Sequence, residues 1–263
     1  MRLITIVIMC TLLGVVLALD ITYRLRRARL AQFVRTVTTG VASDREVVFE
    51  VGRTLFLKIT RGPDPVFLTK LLRLLGASPI AVLEQGGCCS GIHRLFIASL
   101  DAIGIRAAQI TVYRLPGPVA VHCLVQVDLA TAPLIIDVDY GVWYRHPNGG
   151  SLGIDDLRAG VIPVIEPFMP SEARRPDPKY NIPPGYPNKP YFAFDFRSTR
   201  TANWTKTPVR RATYWLLRHV TRGGVDYLLL PAICEWPENL LAAALLSLWV
   251  IIFAAELARL LPI

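Results

Sequence analysis

The residues with the most chemistry in this chain are Cys88 and Cys89, which follow Gly86-Gly87 at the start of an apolar stretch. His122 stands in a β-branched run, and Asp137 and Asp139 stand in the run after it. Thiol catalysis needs a thiolate, a base within hydrogen-bond reach and a group that orients the base. A helix start favours the thiolate through the helix dipole and unpaired amides. The glycines let the backbone bend and a substrate carbonyl approach, and amides of the same turn can stabilise an oxyanion. Adjacent cysteines lack the C-x-x-C spacing that wraps tetrahedral zinc. His93 lies one turn after Cys89, which leaves a Cys–His pair or a metal site with Cys88 as alternatives. Cys88 itself reads as a structural or redox neighbour of Cys89, and a vicinal disulfide between them would be strained.

The elements that must position these groups can be read from periodicity. Leu95, Ser99, Ala102 and Ile103 follow a helical period that Gly104 closes. "AAQITVYRL", "AVHCLVQVDL" and "LIIDVDYGVWY" then read as three antiparallel strands. If the last is one strand, Asp137 and Asp139 share a face and either can meet His122 across the hairpin. Upstream, 44–60 leans towards helix. "GPDPVFLTKLLRLLGAS" reads as a helix with Asp64 as its cap and Pro65 in its first turn. Helix followed by antiparallel strands makes the domain α+β.

With the residues in this order, the sequence resembles the transglutaminase-like cysteine enzyme superfamily, of papain-like fold. The family's G-x-C helix ends in a G-I-x-A-R-like turn about fifteen residues on. Counting back from Gly104-Ile105-Arg106-Ala107 reaches Cys89. The family's H-x-W-V-E-V resembles "HCLVQV" from His122, and its D-P-T-Y-G resembles "DVDYG", which puts Asp137 at the acid position. Leu124, Gln126 and Val138-Asp139 depart from the family pattern. The resemblance covers roughly residues 64 to 145. It implies that Cys89 attacks a carboxamide or peptide carbonyl, His122 shuttles the proton and Asp137 holds the imidazole, with Asp139 as the alternative acid. A thioester then passes to water or to an amine. Gln85, just upstream, is the oxyanion candidate. No metal or other cofactor is implied. The partner would be a protein or peptide substrate. An inactive membrane adaptor that binds a protein or peptide partner in the same cleft is the alternative function.

Composition sets the surroundings. Leu3–Leu19 and Leu240–Ala255 are uncharged apolar runs that read as transmembrane helices flanking the domain. In the second, Glu256 and Arg259 sit three apart and can pair or snorkel. A signal peptide with a site at Val16-Leu17-Ala18 competes for the first run, but Arg24, Arg26, Arg27 and Arg29 follow it and only Arg2 precedes it. That bias points to a retained anchor in an inner or plasma membrane with the domain facing the cytoplasm, which agrees with only five, scattered cysteines. "NWT" at Asn203 is a glycosylation pattern that such a location makes irrelevant. The net charge of +9 comes from scattered arginines clustered beside the apolar ends. It favours anionic headgroups over nucleic acid. The expected organisation is an anchor at 1–20, a basic helix on the membrane surface at 21–43 and the catalytic domain at 44–166. A Pro-rich strap or linker (167–208), a basic amphipathic segment (209–238) and a second anchor (239–263) follow. Trp143 and Tyr144 are either cleft or core residues.

Overall fold

The computed structural model describes residues 3–65, 76–114, 120–169, 194–201, 208–221 and 232–260. Its core is a curled, wholly antiparallel sheet of six strands in the order β5-β4-β3-β2-β1-β6. The strands are β1 (Arg106–Arg114), β2 (Ala120–Asp128), β3 (Pro133–Asp137), β4 (Val142–Arg145), β5 (Val164–Pro167) and β6 (Phe194–Arg200). Side chains alternate between its faces as a pleated strand requires. Ala107, Val125, Val127, Leu134 and Ile136 enter one core, and Ile110, Val112, Leu124 and Ile135 enter the other.

Four helices cover the first face: α1 (Leu3–Val37), α2 (Asp44–Lys58), α3 (Pro79–Gln85) and α4 (Cys89–Ala102). Ser43 caps α2, its hydroxyl accepting from the Glu46 amide. The second face packs against α5 (Ile154–Arg158) and the strand residue Phe194. A mixed α+β domain with a cysteine-bearing helix on an antiparallel sheet is therefore present. The helix expected over "GPDPVFLTKLLRLLGAS" falls mostly outside the described residues, as does "NWT" at Asn203.

Two expectations differ from the structure. The run 134–144 is two strands joined by a turn at 138–141, and Asp137 causes the break. Its carboxylate accepts the Tyr140 amide at 3.0 Å, and Gly141 supplies φ +66°, so the chain reverses instead of extending. The basic helix expected on the membrane surface is continuous with the first apolar run. Its Leu30 and Val34 are fully buried in the domain core beside Leu95 and Phe96, because amphipathic spacing can serve a protein core as well as a lipid surface. The Pro-rich stretch contributes β6 as an edge strand on β1.

α1 and α7 (Pro237–Leu260) are two helices long and apolar enough to cross a membrane, a property compatible with a membrane protein. They run antiparallel. Thr5 Oγ1 meets Glu256 at 3.4 Å at one end, and Arg26 pairs with Glu238 at the other. The two α1 residues lie 21 positions apart, about 31 Å of helix, close to the roughly 30 Å of a bilayer's hydrocarbon core. Arg259 pairs with Glu256 at 3.0 Å. The basic amphipathic helix expected near residue 210 is α6 (Pro208–Val220).

Candidate active site

The chain first pins the loop before the cysteines. Gly87 donates its amide to Thr60 O and accepts from the Gly62 amide, both at 3.1 Å. Gly86 takes φ +86° directly over Thr60, where a Cβ would lie 2.2 Å from the carbonyl oxygen, so no side chain fits there. Cys88 is then the N-cap and Cys89 the first residue of α4. Asp64 Oδ1 accepts the Cys88 amide at 2.9 Å, and a Cβ on Gly91 would lie 2.1 Å from that oxygen. Asp64 thus caps α4 from outside, a helix start other than the one the sequence suggested, because its carboxylate reaches unpaired amides across the loop.

The two thiols are not equivalent. A hydrogen bond to Cys89, burial and the Asp64 carboxylate together push the Cys88 thiol far above its usual range. Its sulfur also lies 3.2 Å from Ser90 Oγ. Both cysteines are free and half-buried, and neither is tied up in the vicinal disulfide considered above.

β2 and β3 bring His122 and Asp137 together. Their register pairs Val125 with Ile136, which places Asp137 diagonally from His122 on the same face. A bulge in the β1–β2 ladder falls immediately beside His122, the kind of irregularity that re-aims a side chain. His122 Nε2 lies 2.6 Å from Asp137 Oδ2 with both side chains buried. Phe194 stacks on the imidazole at 5.8 Å, and Tyr140 packs against it at 4.6 Å. Burial alone would pull the His122 pKa down. The Asp137 charge and hydrogen bond, followed by the Cys89 contact, outweigh it and hold the ring well above the ordinary imidazole value. Burial likewise pushes Asp137 up, but His122 and then His93 hold its carboxyl far below the carboxylate range.

Single ligand atoms of Cys89, His122 and Asp139 all lie within 4.8 Å of one another. That set could offer a metal three donors, but the Asp139 carboxylate is already engaged. Arg61 grips it through Nε at 2.8 Å and Nη2 at 2.6 Å, reaches the Asp139 carbonyl at 3.1 Å and lies over the Tyr140 ring. A cation would have to displace a bidentate guanidinium. Had β3 continued, Asp139 would have faced His122 in register; the turn hands it to Arg61.

Gln85 ends α3 with its side chain exposed, and that side chain makes no hydrogen bond among the described residues. Tyr144 is a core residue, and Trp143 packs against Phe49. His93 is placed behind the acid rather than beside the thiol. It is fully buried, with Nε2 3.3 Å from Asp137 Oδ1 and its ring edge-on to His122 at 5.7 Å. Neither ring nitrogen achieves an aligned hydrogen bond, an arrangement that costs roughly 1–3 kcal/mol for a buried polar group. Sequence reading missed Arg61 and the position of His93. The i+4 spacing from Cys89 signalled a shared helix face but not the strand residue that face meets.

No family model and no curated protein matches the chain. Two solved structures do. One is described as a "putative protease" from Parabacteroides distasonis, at 17% identity and TM-score 0.34, covering 46% of this chain and 25% of that one. The other is described as a "putative cysteine protease" from Cytophaga hutchinsonii, at 17% identity and TM-score 0.36, covering 54% of this chain and 47% of that one. The chain thus spans about a quarter and about half of their respective lengths.

Proposed function

We propose that this chain is a membrane-tethered cysteine enzyme of the transglutaminase-like type, acting on a carboxamide or peptide bond through Cys89, His122 and Asp137. One observation carries the reading. A thiol at the first position of α4 lies within reach of a buried imidazole whose other side is bonded to a buried carboxylate.

With Nε2 held by Asp137, Nδ1 is the ring nitrogen left to take the Cys89 proton. The thiolate adds to the carbonyl carbon, and the carbonyl π electrons move onto oxygen. The α4 amides point towards that developing charge. Collapse of the tetrahedral species expels the amine, which takes the proton from His122 and leaves a thioester. Water or a second amine, deprotonated by His122, then attacks the thioester and returns the thiol. Asp137 stays ionised and fixes the ring throughout. Cys88, with its proton held tightly, is the neighbour of the nucleophile.

The tether is the α1–α7 pair. The cluster Arg24, Arg26, Arg27 and Arg29 at its domain end favours a cytoplasmic domain. A reporter inserted in the exposed turn between Asn148 and Gly149 reads that orientation.

The test of the chemistry is alkylation of Cys89 against pH in a Cys88→Ser, Cys123→Ser background, with and without His122→Ala. Fast reaction near neutral pH that slows when the imidazole is lost supports the enzyme. Ordinary thiol behaviour, indifferent to His122, refutes it and leaves the partner-binding adaptor.

A further inference from the structure

His93 is a buried ionisable group at this site to which the reaction above gives no task. It projects from the second turn of α4, the same helix that presents Cys89, and its side chain is wholly enclosed. An imidazole kept in a core without an aligned partner is costly, and an apolar residue would fill the space without that cost. What the ring faces is Oδ1 of Asp137, while Oδ2 of the same carboxylate takes His122. The Tyr140 amide also donates to Oδ1, at 3.0 Å. Asp137 is therefore approached from three elements: α4 through His93, β2 through His122 and the following turn through Tyr140. Beyond His122 lie Cys89 and the Asp139–Arg61 pair.

We propose that His93 is a positioning residue for the Cys89–His122 couple. It donates Nε2–H to Asp137 Oδ1 and fixes the plane of the carboxylate, so that Oδ2 meets His122 Nε2 in line. The inference rests on the triad reading given above. Its physical content is a two-point clamp. His122 on Oδ2 and the Tyr140 amide on Oδ1 hold the acid from β2 and the turn. A donor on α4 adds a hold on Oδ1 from the helix side and ties the orientation of the acid to the helix that carries the nucleophile. The contact is within reach but out of alignment in the resting protein, as hydrogen bonds around reacting groups often are before substrate binds.

The test uses the full chain in detergent, in the Cys88→Ser, Cys123→Ser background, with iodoacetamide as the probe. Reaction rates are compared at about pH 7 and about pH 9.5, the latter above the usual thiol range, where ionisation needs little help. His93→Phe keeps the ring volume and removes the donor. His93→Gln restores an Nε2–H2 group at a similar reach. The expected result for Phe is a fall of about tenfold at neutral pH, the scale of one hydrogen bond to a charged group, with the alkaline rate within about twofold of the parent. Gln is expected to recover most of the neutral-pH rate. A Phe protein that folds and matches the parent at both pH values overturns the proposal and leaves His93 as packing. So does an equal loss at both values, which reports general disturbance of the site. If Phe does not fold, the Gln variant decides alone: a neutral-pH rate close to the parent supports the clamp, and a tenfold loss in folded protein overturns it. The parent and its His122→Ala form are run alongside. A parent indifferent to His122 marks failure of the triad itself, whereas an activated parent with indifferent His93 variants marks failure of the clamp alone.

Discussion

Replacing Asp137 with asparagine separates charge from shape at the centre of the site. Burial opposes the His122 imidazolium, and the carboxylate 2.6 Å away is the main influence holding the ring well above its ordinary pKa. With an amide in that place the burial remains and the counter-charge is gone. Breaking a buried ion pair by removing one partner costs about 3–5 kcal/mol, while losing a hydrogen bond to a neutral ring costs only about 1 kcal/mol. The sign with pH follows from the directions of the two shifts. The raised His122 pKa stabilises the fold fully below the unfolded value of about 6.5, and that contribution fades as pH rises through the folded value. The lowered Asp137 pKa stabilises the fold above its unfolded value of about 3.9 and is lost only in strong acid. Both contributions are present between about pH 5 and about pH 6.5. The Asp137→Asn deficit is therefore largest there and shrinks towards about 1 kcal/mol in alkali. Denaturant unfolding of the full chain in detergent, followed by tryptophan fluorescence from about pH 5.5 to about pH 10, measures it. A deficit of constant size across that range would refute the buried ionic pair, and a variant as stable as wild type at the acid end would do so more directly.

Two further substitutions probe the supports of the site. Arg61→Met leaves the nearly enclosed Asp139 carboxylate without its guanidinium. Because Arg61 keeps 30% of its side chain in solvent, the loss should be about 1–3 kcal/mol rather than the full cost of breaking a buried pair. Arg61→Lys should recover only part of it, since an ammonium cannot reproduce a bidentate grip; both are read as shifts in the denaturant midpoint. Gly86→Ala forces a Cβ to within 2.2 Å of Thr60 O at φ +86°. It should cost at least about 2 kcal/mol and slow Cys89 alkylation at neutral pH by displacing the start of α4.

The helices and strands were legible because their periodicities are strong and nearby. The cysteine-bearing helix, its glycine stop and the strand that carries His122 follow from spacing alone. What escaped depended on contacts that periodicity does not encode. Nothing in "DVDYG" distinguishes a continuing strand from a turn until the Asp137 carboxylate is seen to accept an amide three residues on. That one hydrogen bond gives Asp137 to His122 and Asp139 to Arg61. Asp64 lies 24 positions before the helix start it caps, a separation over which no local pattern reaches. The α1 stripe of Leu30 and Val34 carries the same signal whether it meets lipid or α4, and the choice is made by the partner surface.

The position of α4 links the candidate site to the apolar helices. Its first residue is Cys89, its fifth is His93, and the next, Arg94, is almost wholly buried against Glu235 at 3.2 Å, directly before α7. At its far end Asp101 pairs with Arg27 of α1 at 3.1 Å. Trp236 at the foot of α7 is fully buried in the same core as Leu95 and Phe96, with Tyr23 of α1 edge-on at 5.3 Å. These are not the contacts of a domain hung on flexible tethers. A chain cut before Glu235 would leave Arg94 as a buried cation without its carboxylate, a penalty of several kcal/mol, on the residue adjoining His93. The helices that would hold the protein in a bilayer are thus part of what holds the thiol helix on its sheet. The geometry around Cys89, His122 and Asp137 depends on those apolar helices, because the residues at their domain ends complete the core.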